Sequence, residues 1–323
     1  DSRGGADMRW KQLTAVFVGV AMLALAACGK TAEVAKEGPI ETVKIAYLPL
    51  THALALMELA EEQKDNPNLR IELVKYSSWS ELLDALNTGK VDGASVLLEL
   101  AMKAKQEGIG VKAVALGHRD GNVIVASNTV RTAADLKGKK IAIPHRQSSH
   151  NILTNLELGK AGLSAADVSL VELAPTEMPF ALFTGQIDAY CVAEPFGALS
   201  VNLGKGHVLD SAESLWPDSL CCGLVFSDKF LTERQTLADT VLRAYETAGK
   251  NLTPERALAV AKQYLSQSDA VLKLSLEWIR FDNLRITEAE YADLVEKAER
   301  FGLTDAPPSY ADFVYQSAEG GPR

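Results

Sequence analysis

Four of the five histidines, His52, His118, His145 and His150, fall on loop tips or helix starts, and Arg119 and Arg146 each follow one of them directly. Imidazoles that face one crevice have two chemistries. Neutral rings offer lone pairs to a metal ion, whereas protonated rings pair with an anion. Neither a cysteine nor a carboxylate stands at close ligand spacing beside these histidines, while the two guanidiniums favour negative charge. The sequence therefore ranks an anion above a metal, and no metal site or cofactor is expected. Hydroxyls at Thr51, Ser148 and Ser149 also open helices, where each either caps its own helix or contacts a ligand. Trp79, reached through Tyr76-Ser77-Ser78, reads either as a stacking wall of the crevice or as core. Ser95 is a polar residue in an apolar run, either ligand-facing or bonded locally. Tyr47 closes the first apolar strand. No nucleophile, base and orienting group can be picked out as a set, so no catalytic residue is expected.

These groups need a scaffold, and the chain describes it by repeating itself. Lys44-Ile45-Ala46-Tyr47, followed by Thr51-His52, matches Lys140-Ile141-Ala142-Ile143, followed by Ser149-His150. Ala85-Leu86-Asn87-Thr88-Gly89-Lys90-Val91-Asp92-Gly93 matches Ala181-Leu182-Phe183-Thr184-Gly185-Gln186-Ile187-Asp188-Ala189, and both pairs share an offset of 96 residues. Each copy reads as strand, loop, helix, strand, helix, strand: 43–47, 53–63, 69–76, 80–87 and 91–96 in the first, then 140–143, 150–161, 168–173, 178–183 and 187–192. Short apolar strands alternating with helices pair in parallel through right-handed crossovers, so the fold class is α/β. Residues 111–127 hold two strands at a crossing from one lobe to the other, and a second crossing is expected after Ala193-Glu194-Pro195, with 220–226 returning. The tail from 231 to 313 is helical and is expected to pack on the first lobe. In open parallel sheets the ligand crevice lies beyond the carboxyl ends of the strands, where helix N-termini favour anions.

Arg9 and Lys11 precede an apolar run from Leu13 to Leu25 that ends in Leu25-Ala26-Ala27-Cys28. The run is shorter than the roughly 20 residues that span a bilayer, which makes it a cleavable secretory signal. Leu25-Ala26-Ala27-Cys28 resembles the lipobox of bacterial lipoproteins, which implies that residues 1–28 comprise seven extraneous residues before Met8 and a signal ending at Cys28, whose acylation would anchor the chain to a membrane. Residues 29–42 read as a flexible tether. The remaining length suggests two lobes, 43–120 plus 220–315 and 121–219. A net charge of −9 argues against nucleic acid. Cys191, Cys221 and Cys222 fit no metal motif. They read as small buried hydrophobes, with one bridge from Cys191 to either of the others left open.

The motifs Ile45-Ala46-Tyr47-Leu48-Pro49, Gly89-Lys90-Val91-Asp92-Gly93-Ala94, Ala134-Asp135-Leu136-Lys137-Gly138-Lys139-Lys140-Ile141-Ala142, Gly185-Gln186-Ile187-Asp188-Ala189 and Ala193-Glu194-Pro195-Phe196 come in an order that resembles one family. It is that of the substrate-binding proteins of ABC importers for nitrate, sulfonate, taurine and bicarbonate, which also includes binders of thiamine-precursor pyrimidines. The resemblance runs from about Thr42 to Phe313. It implies a type II periplasmic-binding-protein fold that traps a small-molecule ligand and delivers it to a permease and an ATPase, as a monomer outside the cytoplasm. It also implies ligand contacts at Thr51, His52, Ser78, Trp79, Ser95, Ser148, Ser149 and Glu194. One departure is Pro144-His145-Arg146-Gln147, where many members carry Gly; the larger side chains are expected to narrow the pocket or charge it. Cys221-Cys222-Gly223 faintly resembles the cysteine-rich segment of thiamine-pyrimidine synthases, an enzymatic alternative that the lipoprotein signal disfavours. A pyrimidine ligand, or a sensory role beside a membrane receptor, are further alternatives.

Overall fold

The computed structural model describes residues 39–317. Cys28 and most of the expected tether lie outside the described residues. In chain order the first half contains β1 (Glu41–Tyr47), α1 (Leu54–Gln63), β2 (Leu69–Lys75), α2 (Trp79–Asn87), β3 (Gly93–Leu97), α3 (Leu98–Gln106) and β4 (Val111–Leu116). A two-residue β5 (Arg119–Asp120) leads to β6 (Asn122–Ala126), β7 (Lys140–Ile143), α4 (Ser149–Lys160), β8 (Ser169–Glu172), α5 (Met178–Phe183) and β9 (Ala189–Ala193). The expected strands and helices of both copies are present, with ends shifted by a residue or two.

Two five-stranded sheets result, ordered β2-β1-β3-β11-β4 and β10-β6-β9-β7-β8, where β10 is His207–Ser211 and β11 is Cys222–Ser227. The second, taken from β8, repeats the order of the first. In each, three strands of one copy run parallel and a fourth joins antiparallel, β11 against β3 and β6 against β9. Each of these strands enters its sheet from the far side of the other copy, so the chain crosses twice. Every residue of β3 and β9 is buried, which is why both read as continuous apolar runs without alternation.

The duplication survives at the level of single bonds. The Lys44 N–H donates to the Asp92 carboxylate at 2.8 Å, and the Asp92 N–H donates back to the Lys44 carbonyl at 2.8 Å. Lys140 and Asp188 repeat this clasp at 2.9 and 2.8 Å. In both copies it pins the loop that enters the third strand against the first strand.

After β9 the chain adds α6 (Phe196–Asn202) and β10 before it returns through α7 (Ala212–Leu215) to the first sheet. β10 pairs antiparallel with β6 and covers what would otherwise be an open edge. The tail consists of α8 (Asp228–Glu233), α9 (Gln235–Asn251), α10 (Pro254–Tyr264), α11 (Asp269–Leu276), β12 (Ile279–Arg280), α12 (Glu288–Arg300) and α13 (Tyr310–Phe313). α9 buries Ala238, Val241, Leu242, Tyr245 and Ala248, an apolar stripe at helical spacing, and packs on α1. β12 pairs with β5 and so fastens the tail to the first crossing. Among the described residues, no helix is long and apolar enough to cross a membrane.

Candidate functional site

The first crossing is also where the histidines meet. Gly117 lies so close to the chain at His52 that a Cβ would fall 2.6 Å from the His52 carbonyl oxygen. Gly121 holds a φ of +78°, a region that L side chains rarely adopt, and a Cβ there would strike Ile279. Between these two glycines the backbone presses His118 against His52, whose rings stack with centroids 3.5 Å apart.

Hydrogen bonds to backbone carbonyls decide which nitrogen of each ring is free. His52 Nε2 lies 3.1 Å from the Gly121 carbonyl oxygen, and His118 Nδ1 lies 2.7 Å from that of Asp120. A carbonyl only accepts, so those nitrogens carry the protons, and a lone pair remains on His52 Nδ1 and on His118 Nε2. His52 Nδ1 stands 3.4 Å from Cys222 Sγ and 3.8 Å from Cys221 Sγ, and the two sulfurs are 3.9 Å apart. His118 Nε2 is buried without a hydrogen-bond partner. One ligand atom from each of His52, His118, Cys221 and Cys222 lies within 4.8 Å of the other three. Zinc bonds of about 2.0–2.3 Å place the corners of a tetrahedral N2S2 shell about 3.3–3.9 Å apart, so the four atoms need only a small contraction.

Burial and mutual contact shift the groups of the cluster in different directions. Burial alone would raise the Cys221 thiol, yet the hydrogen bond with Cys222 and the neighbouring His150, His118 and His52 outweigh it and bring it well below the ordinary value. Cys222 moves the opposite way, raised by burial and then by its contact with Cys221. Burial keeps His150 neutral, lowered to about 4, and lowers His118 as well. Glu99 is buried with both carboxylate oxygens unpartnered, and burial followed by the Cys221 charge pushes it well above the usual carboxylate range.

Of the residues expected from sequence, His52, His118 and His150 converge, each about 1 % exposed. His145 does not join them; it is half-buried, and its Nδ1 accepts the Gln147 N–H. Arg146 is exposed, and its backbone N–H donates to the Glu172 carboxylate. Arg119 is buried but committed: it donates to Glu290 at 2.7 Å and to the carbonyls of Asn283 and Arg285. Ser78 and Ser148 cap α2 and α4, and Ser148 also donates to the His145 carbonyl. Thr51 does not cap; its hydroxyl and its N–H both donate to the Glu194 carbonyl. The Glu194 carboxylate is buried, with one oxygen accepting the Ala198 N–H, and burial raises it to about 8. Tyr47, Trp79, Ser95 and Ser149 are all buried, with the Trp79 indole N–H and the Ser149 hydroxyl unpartnered.

The expectation that no cysteine stands beside the histidines is corrected. Cys191, Cys221 and Cys222 are all buried and free. Cys221 and Cys222 open the strand that returns to the first sheet between β3 and β4, and that return sets them against His52. The separation of 170 residues hides the contact from any local motif. The available signal was the adjacent pair itself, at the start of an apolar strand. Glu99 and Asn122, the latter buried with Oδ1 at 3.9 Å from Cys221 Sγ, were also missed.

A family model described as the NMT1-like family matches residues 36–266. A solved structure similar to this chain is the ligand-binding component of an ABC-type import system from Staphylococcus aureus with zinc bound. It is 37% identical, with a TM-score of 0.82, over 86% of this chain and 97% of that one. The periplasmic nitrate-binding protein NrtA of Synechocystis shares the fold, with a TM-score of 0.75 at 17% identity over 83% of each chain. An Escherichia coli protein named for binding aliphatic sulfonates is 29% identical over 192 residues, 57% of this chain and 59% of that protein. The nitrate import ATP-binding protein NrtC of Synechocystis is 28% identical over 196 residues, 53% of this chain and 29% of that protein. The chain thus spans less than two thirds of the length of these two curated relatives.

Proposed function

The chain belongs to the NMT1-like family, and from that premise we propose that it is the solute-capturing component of an ABC importer whose cargo is a divalent transition-metal ion of the zinc class. The observation that carries this reading is the convergence of His52, His118, Cys221 and Cys222 in a buried cluster, with His52 Nδ1 beside the Cys222 sulfur and His118 Nε2 buried without a partner. Imidazole and thiolate together select zinc-like ions over magnesium or calcium. The zinc in the similar Staphylococcus aureus protein supports the same class.

In this reading the two sheets are the cores of two lobes, residues 43–120 with 220–315 and residues 121–219, that close on the ion and present it to a permease and its ATPase. The protein works as a monomer held outside the cytoplasm by lipid on Cys28. Cys28→Ser is then expected to move the protein from the membrane fraction to the soluble fraction and to remove the acyl mass from its N-terminal peptide; unchanged fractionation would sink the anchor.

An anion or anion-bearing organic solute, favoured by the sequence and by the names of the sulfonate and nitrate relatives, has a weaker physical basis. Of the two arginines that would clamp it, Arg119 is paired with Glu290 and Arg146 is exposed. Titration calorimetry on chelator-stripped protein separates the readings. Zinc is expected to bind at one equivalent and, at a hundred to a thousand times its Kd, to stabilise by about 2.7–4.1 kcal/mol. For a chain of this size that is a rise in melting temperature on the order of 5–15 °C. A shift with an alkanesulfonate or nitrate and none with zinc would reverse the choice.

A further inference from the structure

All four donors of the proposed ion site come from segments that belong to the first sheet or to the crossing that leaves it. His52 follows β1, His118 follows β4, and Cys221 and Cys222 open β11. A site built wholly on one side of the cleft holds an ion but gives the other side no stake in it.

His150 is the exception among the converging rings. It lies in the first turn of α4, the helix that follows β7 of the second sheet. Its ring is about 1 % exposed and nearly parallel to that of His52, with centroids 6.4 Å apart and 11° between planes. Both of its nitrogens are buried with no hydrogen-bond partner. Leaving a buried polar group unsatisfied is costly, so an imidazole with two unsatisfied nitrogens beside a ligand cluster is built for a partner that arrives. The neighbouring Ser149 hydroxyl is buried and unpartnered too.

Resting on the metal reading above, we propose that His150 is a fifth ligand supplied by the second lobe, so that the ion is held by three imidazoles and two sulfurs when the lobes are together. The first lobe binds the ion with His52, His118, Cys221 and Cys222; His150 adds a bond that exists only in the closed arrangement. Ion occupancy is thereby converted into closure, because a ligand shifts a conformational equilibrium only by what it binds differently in the two states. Thr51, next to His52, already joins the lobes through its two bonds to the Glu194 carbonyl, so His150 approaches a registered partner.

X-ray absorption of the zinc-loaded protein counts the ligands without any substitution: three imidazoles and two sulfurs are expected, and two imidazoles with two sulfurs would overturn the proposal. In His150→Gln, which keeps volume and polarity, the count is expected to fall to two imidazoles. Zinc affinity is expected to drop by about a hundredfold, the loss of one direct ligand. The zinc-induced decrease in radius of gyration, read by small-angle scattering, is expected to disappear. An unchanged affinity and an unchanged compaction in that variant count against His150 alone. Failure of the unmodified protein to bind zinc instead removes the metal reading on which the proposal stands.

Discussion

Zinc affinity is expected to fall by a hundredfold or more when Cys222 is replaced by serine, with His118→Ala close behind. Binding free energies of about 10–16 kcal/mol for four-ligand zinc sites amount to roughly 3 kcal/mol per ligand, and 1.4 kcal/mol is a factor of ten. Serine matches cysteine in shape but replaces a polarisable thiolate with a hard hydroxyl that keeps its proton at neutral pH, so it removes the bond and little of the packing. His52 Nδ1 then faces a single sulfur. Calorimetry of the variant reads the loss directly, and melting of the metal-free protein serves as the control. Metal-free stability is expected to change by no more than about 1–3 kcal/mol, the cost of burying a hydroxyl among apolar neighbours. Cys222→Ser protein that binds zinc as the unmodified protein does would mean that the cluster is core packing and the cargo sits elsewhere.

The second large effect lies one residue from His118. Arg119 is almost fully buried, 4 % exposed at the side chain, and its charge is met by Glu290 on α12. Glu290→Ala strips that counter-charge and leaves a guanidinium held only by two carbonyls. Breaking a buried pair from one side costs about 3–5 kcal/mol, and the low end applies because Glu290 itself is partly exposed. The melting temperature is expected to fall by roughly 6–12 °C. Glu290→Gln, whose amide oxygen still accepts from Arg119 but whose NH2 cannot accept the Thr287 N–H, is expected to lose less. Burial alone would raise the Glu290 carboxyl, but the bonds from Arg119 and Thr287 outweigh it and hold it below the ordinary glutamate value. A depressed folded value contributes stability that is complete above the unfolded value and lost as pH falls through the folded one. The acid limb of the stability curve should therefore be shallower in Glu290→Gln. An equally steep limb in both proteins would assign acid unfolding to other carboxylates.

The architecture was legible because it is written in local chemistry. Alternating apolar runs, glycine caps at Gly89 and Gly185, and two segments at one offset are all properties of neighbouring residues, and they return in the structure as matching sheets with matching Lys–Asp clasps. His52 and His150 were legible for the same reason, since each stands at the start of the first helix of its copy. Arg146 is exposed and His145 accepts the Gln147 N–H within its own turn, placements that adjacency in sequence does not encode.

What the sequence determined by itself was the repeat and the α/β class; of the four histidines it expected to face one crevice, the structure gathers His52, His118 and His150. What only the tertiary structure decided was the chemistry of that crevice. β11 returns across the molecule to lie between β3 and β4, and with it Cys221 and Cys222 arrive beside His52. Arg119 meanwhile finds Glu290 and ceases to be a charge that a ligand can use. Ligand preference depends on which donors and charges occupy the same few ångströms. Strand pairing sets that proximity across 170 residues of chain, and no local pattern encodes it.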